Sequence, residues 1–321
     1  MTERRYIAAV FALILCAVAG PSARPSAAQS SSQHPADDSG YRASVEKWRA
    51  DFEADLRSDH GWLVVAGLFW LHDGENKFGS DPLNDIVLPA PAPADAGYFD
   101  LRDGKVLVHV NPGAGFTLGG KPVETVELKP DSPTDRLALA DLTLYIHASG
   151  NRRVVRLLDK NSTLRRNFTG MRWFPIDPSY RVTARFVPYD PPKKITMQNL
   201  AGDTLEIPIV GIAIFTLQGQ ELRLDGYAED SDTLEFIFRD LTSGKETYPA
   251  ARFIMASTPK NGEVILDFNE AYNPPCAYNP YTTCPLPPPQ NRLRLRIPVG
   301  EMKYHSDPSN RFHLDSLSAA P

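Results

Sequence analysis

The 321-residue chain has a formal net charge of −5 and 42% hydrophobic residues, a composition ordinary for a globular protein with a sizeable core. Residues 1–28 contain three arginines and one glutamate, so the rest of the chain carries a net charge of −7. This acidic balance argues against nucleic-acid binding, which depends on neutralising phosphates, and no nucleic-acid partner is predicted.

Residues 1–28 have the pattern of a secretory signal peptide. An arginine pair precedes an apolar run over residues 6–20, and small residues at 26–28 offer a cleavage site. The run is shorter than the roughly 20 apolar residues that a membrane span needs. We therefore predict an extracytoplasmic protein, periplasmic or secreted, with no stable membrane anchor after cleavage. A retained anchor and a lipidated Cys16 are the alternatives.

Residues 29–60 are predicted to form a polar linker followed by an amphipathic helix over 41–58. Apolar residues recur there at steps of three and four, which places them on one helix face while charges fill the other. The residues of this stripe are Val45, Trp48, Phe52 and Leu56.

Residues 61–160 contain short β-rich runs separated by glycine, proline and aspartate. This rhythm is typical of a β-sandwich, and the absence of alternating long helices argues against a doubly wound α/β sheet. The runs after the opening WLVVAGLFWL are NDIVL, KVLVHV, LTLYIH and RVVRLLD.

The strand rhythm of residues 78–147 resembles a forkhead-associated β-sandwich. The segments that carry this resemblance are GS-x3-NDIVLP, DGKVLVHV, GKPVETVEL and LALADLTLYI. That family reads phosphothreonine with an arginine after its first glycine and a later Ser-x-x-His. Here Ser80 follows Gly79 and no Ser-x-x-His occurs between Ser80 and Lys105, so the resemblance implies the fold and not phosphopeptide binding.

Residues 161–305 are predicted to form a second β-rich domain, and residues 306–321 a polar tail. A hairpin over 236–254 is expected to bend at DLTSGK, where Gly244 suits a turn. A proline-rich loop over 267–293 follows. The predicted fold is thus mainly β, with an N-terminal helix and a β-sandwich-like first half packed on a β-rich second half.

The proline-rich loop carries two cysteines, Cys276 and Cys284. In an oxidising compartment such an isolated pair is a disulfide candidate. The alternative is a pair of metal ligands, but zinc would need two further ligands and none stands at a suitable short spacing. We predict a disulfide, with no metal and no cofactor.

Familiar catalytic signatures are missing from the sequence. There is no G-x-S-x-G, no phosphate-binding loop, no H-E-x-x-H and no dinucleotide fingerprint. The seven histidines, including His147, are scattered and are predicted to be surface or packed residues.

The hairpin and the loop together concentrate polar residues into one candidate site. A fork-shaped arginine suits carboxylate or phosphate capture, and paired carboxylates suit acid/base chemistry. Tyr248 and Arg252, four residues apart, are expected on one strand face. The candidate ligand-binding residues are Arg239, Lys245, Tyr248, Arg252, Asn269, Asn273 and Asn291; the catalytic candidates are Asp267, Tyr272 and Glu301.

The same residues also fit a purely structural network. Arg252 would then pair with Asp267 or Glu301, and Asn269 and Asn273 would satisfy the backbone of the proline-rich loop, which lacks ladder partners. Both interpretations remain open at the level of the sequence.

Four long segments resemble the prokaryotic domain-of-unknown-function family 1684, and together they span most of the chain after residue 28. They are GWLVVAGLFWLHDGENKFGS, FRDLTSGKETYPAARF, LDFNEAYNPPCAY and TCPLPPPQNRL. This resemblance implies family membership and no particular activity.

Three functions are therefore considered. The first is an exported protein that binds a small polar or anionic ligand between the hairpin 236–254 and the loop 267–293. The second is a hydrolase that uses Asp267 or Glu301 with Arg252 as charge stabiliser. The third is an interaction module that uses exposed sheet edges and has no small-molecule site.

Overall fold

A computed structural model of the protein describes residues 35–304, which form one long helix and three β-sheets. The predicted signal peptide at 1–28 and the polar tail at 306–321 lie outside the described residues. The α-helices are α1, Pro35–Leu56, and α2, Thr163–Asn167, and the short 3-10 helices are Trp62–Val64, Pro178–Tyr180, Phe268–Glu270, Pro275–Ala277 and Pro289–Asn291.

Helix α1 confirms the predicted amphipathic helix but begins six residues earlier, at Pro35. Val45 and Leu56 are buried, and Trp48 and Phe52 pack against a buried cluster of the second half. The apolar stripe thus attaches the helix to the second half. None of the helices within residues 35–304 has both the length and the apolar character to cross a membrane.

The first half is a two-sheet sandwich, as predicted. Its sheets have the strand orders β1-β11-β10-β9-β6-β7 and β3-β2-β4-β5-β8, and one hydrophobic core collects apolar residues from both. The strands are β1 Val65–Trp70, β2 Gly74–Gly79, β3 Ile86–Val87, β4 Gly97–Arg102, β5 Lys105–Val110, β6 Thr117–Leu118, β7 Lys121–Pro122, β8 Thr125–Leu128, β9 Leu137–Leu139, β10 Leu142–Ser149 and β11 Arg152–Asp159.

The second half is a six-stranded antiparallel sheet with the order β16-β15-β14-β13-β12-β17. One face of it packs on the apolar residues of the segment 293–299 to make a second core. The strands are β12 Arg181–Gln198, β13 Thr204–Leu217, β14 Gln220–Ala228, β15 Thr233–Phe238, β16 Arg252–Ser257 and β17 Glu263–Asp267.

The hairpin predicted over 236–254 exists as the pair β15–β16, but its connection is long. Residues 239–251 separate the two strands, and Gly244 lies in a local turn in which Gly244 N–H donates to Thr247 O at 3.0 Å. Tyr248 precedes β16, so the expectation that Tyr248 and Arg252 share one strand face is wrong. Pro249, which cannot donate to a ladder, stands between the turn and the strand.

The proline-rich loop joins the two halves. Asn279 donates from Nδ2 to Trp62 O at 2.7 Å and to Val65 O at 2.8 Å, which ties the loop to the first strand of the sandwich. Around this contact, Leu63 of the first half packs in one buried cluster with Tyr248 and Tyr278 of the second. The two halves are therefore packed on each other, as predicted.

Candidate functional site

The two edge strands of the second-half sheet lie next to each other but are not joined by a β-ladder. Strands β16 and β17 follow one another in the chain and lie side by side, yet each is a terminal strand and the ladder does not join them. A cleft of ≈ 450 Å³ lies along Met255–Thr258 and Glu263–Asp267 of this seam. We call it the seam cleft; Tyr41 and Ser44 of α1, together with Arg181, Lys260 and Glu270, complete its lining.

Asp267 is the only sequence-predicted site residue that lines the seam cleft. The Tyr41 hydroxyl lies 2.9 Å from both carboxylate oxygens of Asp267, and Arg181 Nε lies 3.6 Å from Oδ2. Asn269 N–H donates to Oδ1 at 3.0 Å, because Asp267 caps the short 3-10 helix that follows β17. The carboxylate is held in place by its neighbours while remaining part of the cleft wall.

Asn269 lies behind Asp267 and is fully buried. Its Nδ2 donates to Tyr41 Oη at 2.8 Å and to Asp177 O at 2.9 Å, and its Oδ1 accepts from Asp177 N at 2.8 Å. With its polar atoms engaged by protein groups, Asn269 supports the cleft wall from behind.

Glu270 gives the seam cleft a group that titrates near neutrality. Burial, and then the neighbouring Asp267 charge, raise the pKa of Glu270 to about 7. A half-buried carboxyl with such a pKa exchanges between hydrogen-bond donor and acceptor at neutral pH. The seam cleft can therefore offer both roles to a bound molecule.

Arg252 is remote from any open site, since its side chain is 0% exposed. Its Nη1 donates to Ile297 O at 3.0 Å and lies 3.5 Å from Asp240 Oδ2, and its Nη2 donates to Val299 O. Asp240 in turn accepts from Ile297 N–H at 2.8 Å. This pair fastens the segment 293–299 to the sheet, so Arg252 has a structural role. Its partner is Asp240, and the predicted pairing of Arg252 with Asp267 or Glu301 is wrong.

Glu301 and Asn273 form another buried group. Asn273 N–H donates to Glu301 Oε2 at 2.7 Å, the Tyr278 hydroxyl donates to Oε1, and Asn273 Nδ2 donates to Met302 O at 2.9 Å. Burial raises the pKa of Glu301 to about 8. Glu301 and Asp267 thus have different partners and do not form the acid/base pair considered above.

Tyr272 is also buried and bonded to a carboxylate that the sequence did not single out. Its hydroxyl donates to Glu235 Oε1 at 2.5 Å, inside the cluster that receives Trp48 and Phe52. Burial raises the pKa of Glu235 to about 7.

The remaining predicted residues are dispersed. Tyr248 is buried and donates to Cys276 O at 3.1 Å, and Lys245 is exposed on the connection 239–251. Asn291 is buried and donates from Nδ2 to Asp225 O at 2.9 Å and to Ile237 O at 2.8 Å. Arg239 is partly exposed, and a backbone bridge pairs it with Arg292.

The structure does not show the predicted disulfide. Cys276 and Cys284 are free, buried and adjacent, with Cys276 N–H donating to Cys284 Sγ at 3.3 Å. No cluster of three or more His, Cys, Asp or Glu side chains within residues 35–304 is arranged to hold a metal ion.

Most of the seam cleft is missing from the sequence-based site. In the sequence, Tyr41 is only the first residue of a predicted helix. Arg181 and Lys260 are isolated charged residues in a strand and a turn, and nothing in their local sequence marks them as site residues. Glu270 stands three residues after Asp267, and that spacing was the one available signal. The residues that line the cleft come from distant parts of the sequence. They come together in the cleft only because β17 pairs with β12 along one edge and faces β16 along the other.

Comparison with known proteins locates the family within the second half. Residues 166–302 match the family model described as "Protein of unknown function (DUF1684)". A solution NMR structure of an uncharacterized protein from Haloarcula marismortui is 34% identical, with a TM-score of 0.37, over 43% of this chain and 78% of that chain. No curated protein matches. Through residues 166–302 the chain belongs to the DUF1684 family of proteins of unknown function.

Proposed function

We propose that this protein binds a small polar ligand in the seam cleft. The observation that carries the proposal is an open cleft of ≈ 450 Å³ in which the half-buried Glu270 carboxyl stands beside the fixed Asp267 carboxylate. A concave site with a few positioned polar groups, one of them with a shifted pKa, is the usual form of a small-molecule site.

The charges of the lining narrow the ligand class. Three carboxylates, on Glu263, Asp267 and Glu270, face two cations, on Arg181 and Lys260. This balance favours a neutral hydroxylated molecule or an ammonium compound over an anion. Of the two ligand classes expected from the sequence, the seam cleft therefore supports the polar one.

A thermal-shift screen tests the proposal. The panel contains sugars, polyols, amino compounds, inorganic anions and divalent cations, and we expect stabilisation by hydroxylated or amino compounds. Tyr41→Phe and Glu270→Gln should weaken the response about tenfold in ligand concentration, because each removes one polar contact worth about 1–1.5 kcal/mol. Glu221→Gln, an exposed carboxylate on β14, is the control and should respond as the wild type does.

Stabilisation by none of these classes would contradict the proposal. So would a response that Glu270→Gln and Tyr41→Phe leave unchanged, because the ligand would then bind elsewhere.

The open sheet edges favour a second candidate, an extended peptide. The facing edges of β16 and β17 carry Met255 and Ile265, which are 41% and 39% exposed and both line the cleft. An unpaired sheet edge can bind an extended peptide as an additional strand through main-chain hydrogen bonds. Exposed apolar side chains along the edge then select peptides with apolar side chains at matching positions. Met255→Ala and Ile265→Ala should weaken peptide binding in a fluorescence-anisotropy titration, and should affect a small polar ligand much less because they remove only apolar groups from the cleft.

We further propose that the protein is exported and that Cys276 and Cys284 become oxidised there. The support is the signal-peptide pattern at 1–28 and the adjacent, buried thiols. Closing the nine-residue loop would stabilise the fold by roughly 2–3 kcal/mol through loop-closure entropy. Peptide mass spectrometry of protein from the extracytoplasmic fraction should find the 276–284 crosslink and a chain that begins after residue 28. Free thiols in that fraction would contradict oxidation.

A further inference from the structure

A cluster of polar residues lies on the first-half sheet that contains β10 and β11, on the face that points away from the sandwich core. Leu144 and Ile146 of β10 point into that core. Because successive side chains of a strand point to opposite faces, Tyr145 and His147 point away from it. Arg156 of β11 lies directly opposite Tyr145 in the antiparallel register, and so shares their face.

A carboxylate, an imidazole and a hydroxyl form a continuous hydrogen-bonded relay on this face. Asp131 Oδ1 lies 2.7 Å from His147 Nδ1, and His147 Nε2 lies 3.1 Å from Thr283 Oγ1. Asp131 is itself positioned by Ala148 N–H, which donates to its Oδ2 at 3.2 Å. Thr283 arrives from the proline-rich loop, so the relay is assembled only where the two halves meet.

A buried cation without a counter-ion stands beside the relay. Arg156 is 4% exposed, and no carboxylate within residues 35–304 lies within ion-pair distance of it. Its Nη1 donates to Tyr145 Oη at 3.1 Å, its Nε is buried without a hydrogen-bond partner, and the Trp62 ring lies 5.3 Å from its Cζ. A buried charge left in this state is costly, and an anionic group that reached it would relieve that cost.

The protonation state of the imidazole fits the relay. Burial first, and then the Arg156 charge, lower the pKa of His147 below its ordinary value of 6.5. The ring is therefore neutral at pH 7, and with Nδ1–H donated to Asp131 its Nε2 is free to accept the Thr283 proton.

We propose that Thr283, His147 and Asp131 form a nucleophile, a general base and a positioning carboxylate that hydrolyse carboxylic esters, with Arg156 stabilising the oxyanion. This activity is separate from ligand binding in the seam cleft. The arrangement meets the geometric test of a nucleophile bonded to a base and a base bonded to its orienting group.

The reaction has two balanced steps. Thr283 Oγ1 forms a bond to the acyl carbon while its proton passes to His147 Nε2, and His147 then gives that proton to the leaving alkoxide as the ester bond breaks. Water next loses a proton to His147 and attacks the acyl-threonine. The acid leaves, and the proton on His147 returns to Thr283 Oγ1.

The test is hydrolysis of p-nitrophenyl acetate by the full chain, with fluorophosphonate labelling followed by peptide mass spectrometry. We expect turnover above buffer and a label on Thr283. Thr283→Ala and His147→Ala should lower kcat/KM about 10²-fold, the lower range for a general base, and Thr283→Ser should retain activity. Asp131→Asn should lower kcat/KM and move the rise of its pH profile to lower pH, because contact with Asp131 raises the pKa of His147. A smaller folded fraction would lower the rate without moving the profile.

The chain offers a matched control in Thr125 and His109, whose Oγ1 and Nδ1 are 3.1 Å apart on the other sheet of the sandwich. Thr125→Ala and His109→Ala should hydrolyse the ester at the wild-type rate. Hydrolysis by Thr283→Ala at the wild-type rate, an absence of turnover in the wild type, or a label on another residue would overturn the proposal. Melting temperatures of all variants separate loss of activity from loss of the loop contact.

Discussion

At the scale of single residues, the buried Arg252–Asp240 pair is expected to contribute strongly to the stability of the second half. Arg252→Met leaves the Asp240 carboxylate without its cation and two backbone carbonyls without their donor. Breaking a buried pair in this way costs about 3–5 kcal/mol. Urea unfolding should show this loss for Arg252→Met, and Arg294→Met, an exposed arginine of the same segment, should stay within about 0.5 kcal/mol of the wild type. A cost below about 1 kcal/mol for Arg252→Met would contradict the account.

Gly300 provides a second test at this scale, because its environment excludes a side chain. Its φ is +79°, and a Cβ placed there would lie 2.6 Å from Ala271 O and 2.8 Å from Arg252 Nη2. Gly219 has a similar φ of +76° but open space around it. Gly219→Ala should therefore cost only the backbone strain of about 1–2 kcal/mol, and thermal unfolding should show a clearly larger loss for Gly300→Ala. Equal losses would show that crowding at Gly300 is unimportant.

At the scale of elements, the proline-rich loop is the connector between the two halves. Asn279→Ala removes both donors to the first strand of the sandwich and the acceptor for Tyr281 N–H. At about 1 kcal/mol for each buried hydrogen bond, the loss should reach about 2–3 kcal/mol. Hydrogen exchange should also accelerate in β1 more than in β13. Asn111→Ala, which removes only a 3.4 Å contact to Asp95, is the control; exchange in β1 equal to that of the control would contradict the role of the loop.

Some elements of the fold could be predicted from the sequence and others could not. The periodicity of α1 and the β-rich runs LTLYIH and RVVRLLD, which form β10 and β11, predicted those elements, because burial of one face gives apolar residues a regular spacing. The sequence did not predict strand β4, because a short strand without β-branched residues gives little pattern. The hairpin 236–254 was found, but its connection of residues 239–251 was not, because local turn chemistry at Gly244 says nothing about how far apart the strand ends lie.

The candidate site was predicted less well for a physical reason. Residues such as Arg252, Glu301 and Tyr272 attract attention because charged and aromatic groups suit chemistry, yet here their polar atoms serve the interior. Whether a polar residue faces a cleft or a core depends on tertiary packing. Only Asp267 proved to line the seam cleft, and other residues of the lining come from α1, β12 and the turn after β16.

At the scale of the whole molecule, three carboxyls with raised pKa values, two of them buried and one half-buried, set a common pH dependence. The pKa values of Glu235, Glu270 and Glu301 are raised to about 7, 7 and 8, so the folded state holds protons that the unfolded state releases above about pH 4.5. The unfolded state then binds fewer protons, and stability falls as pH rises from about 4.5 to 8. His147, whose pKa is lowered, acts in the opposite sense below pH 6.5.

Glu301→Gln isolates this effect. The amide cannot ionise, so the variant should lose less stability than the wild type between pH 5 and pH 8, as measured by urea unfolding at each pH. Glu221→Gln is the exposed control and should follow the wild type. A pH profile of Glu301→Gln that parallels the wild type would show that Glu301 does not carry a raised pKa.

The central claim is that the seam cleft binds a small polar molecule, and an NMR titration tests it most directly. With the best stabilising hydroxylated or amino compound, backbone shifts should move in a saturable way at the residues that line the cleft, which are Tyr41, Ser44, Arg181, Met255–Thr258, Lys260, Glu263–Ile265, Asp267 and Glu270. The same titration of Glu270→Gln should require about tenfold more ligand. Saturable shifts confined to residues away from these ranges, or no saturable shifts at all, would contradict the claim.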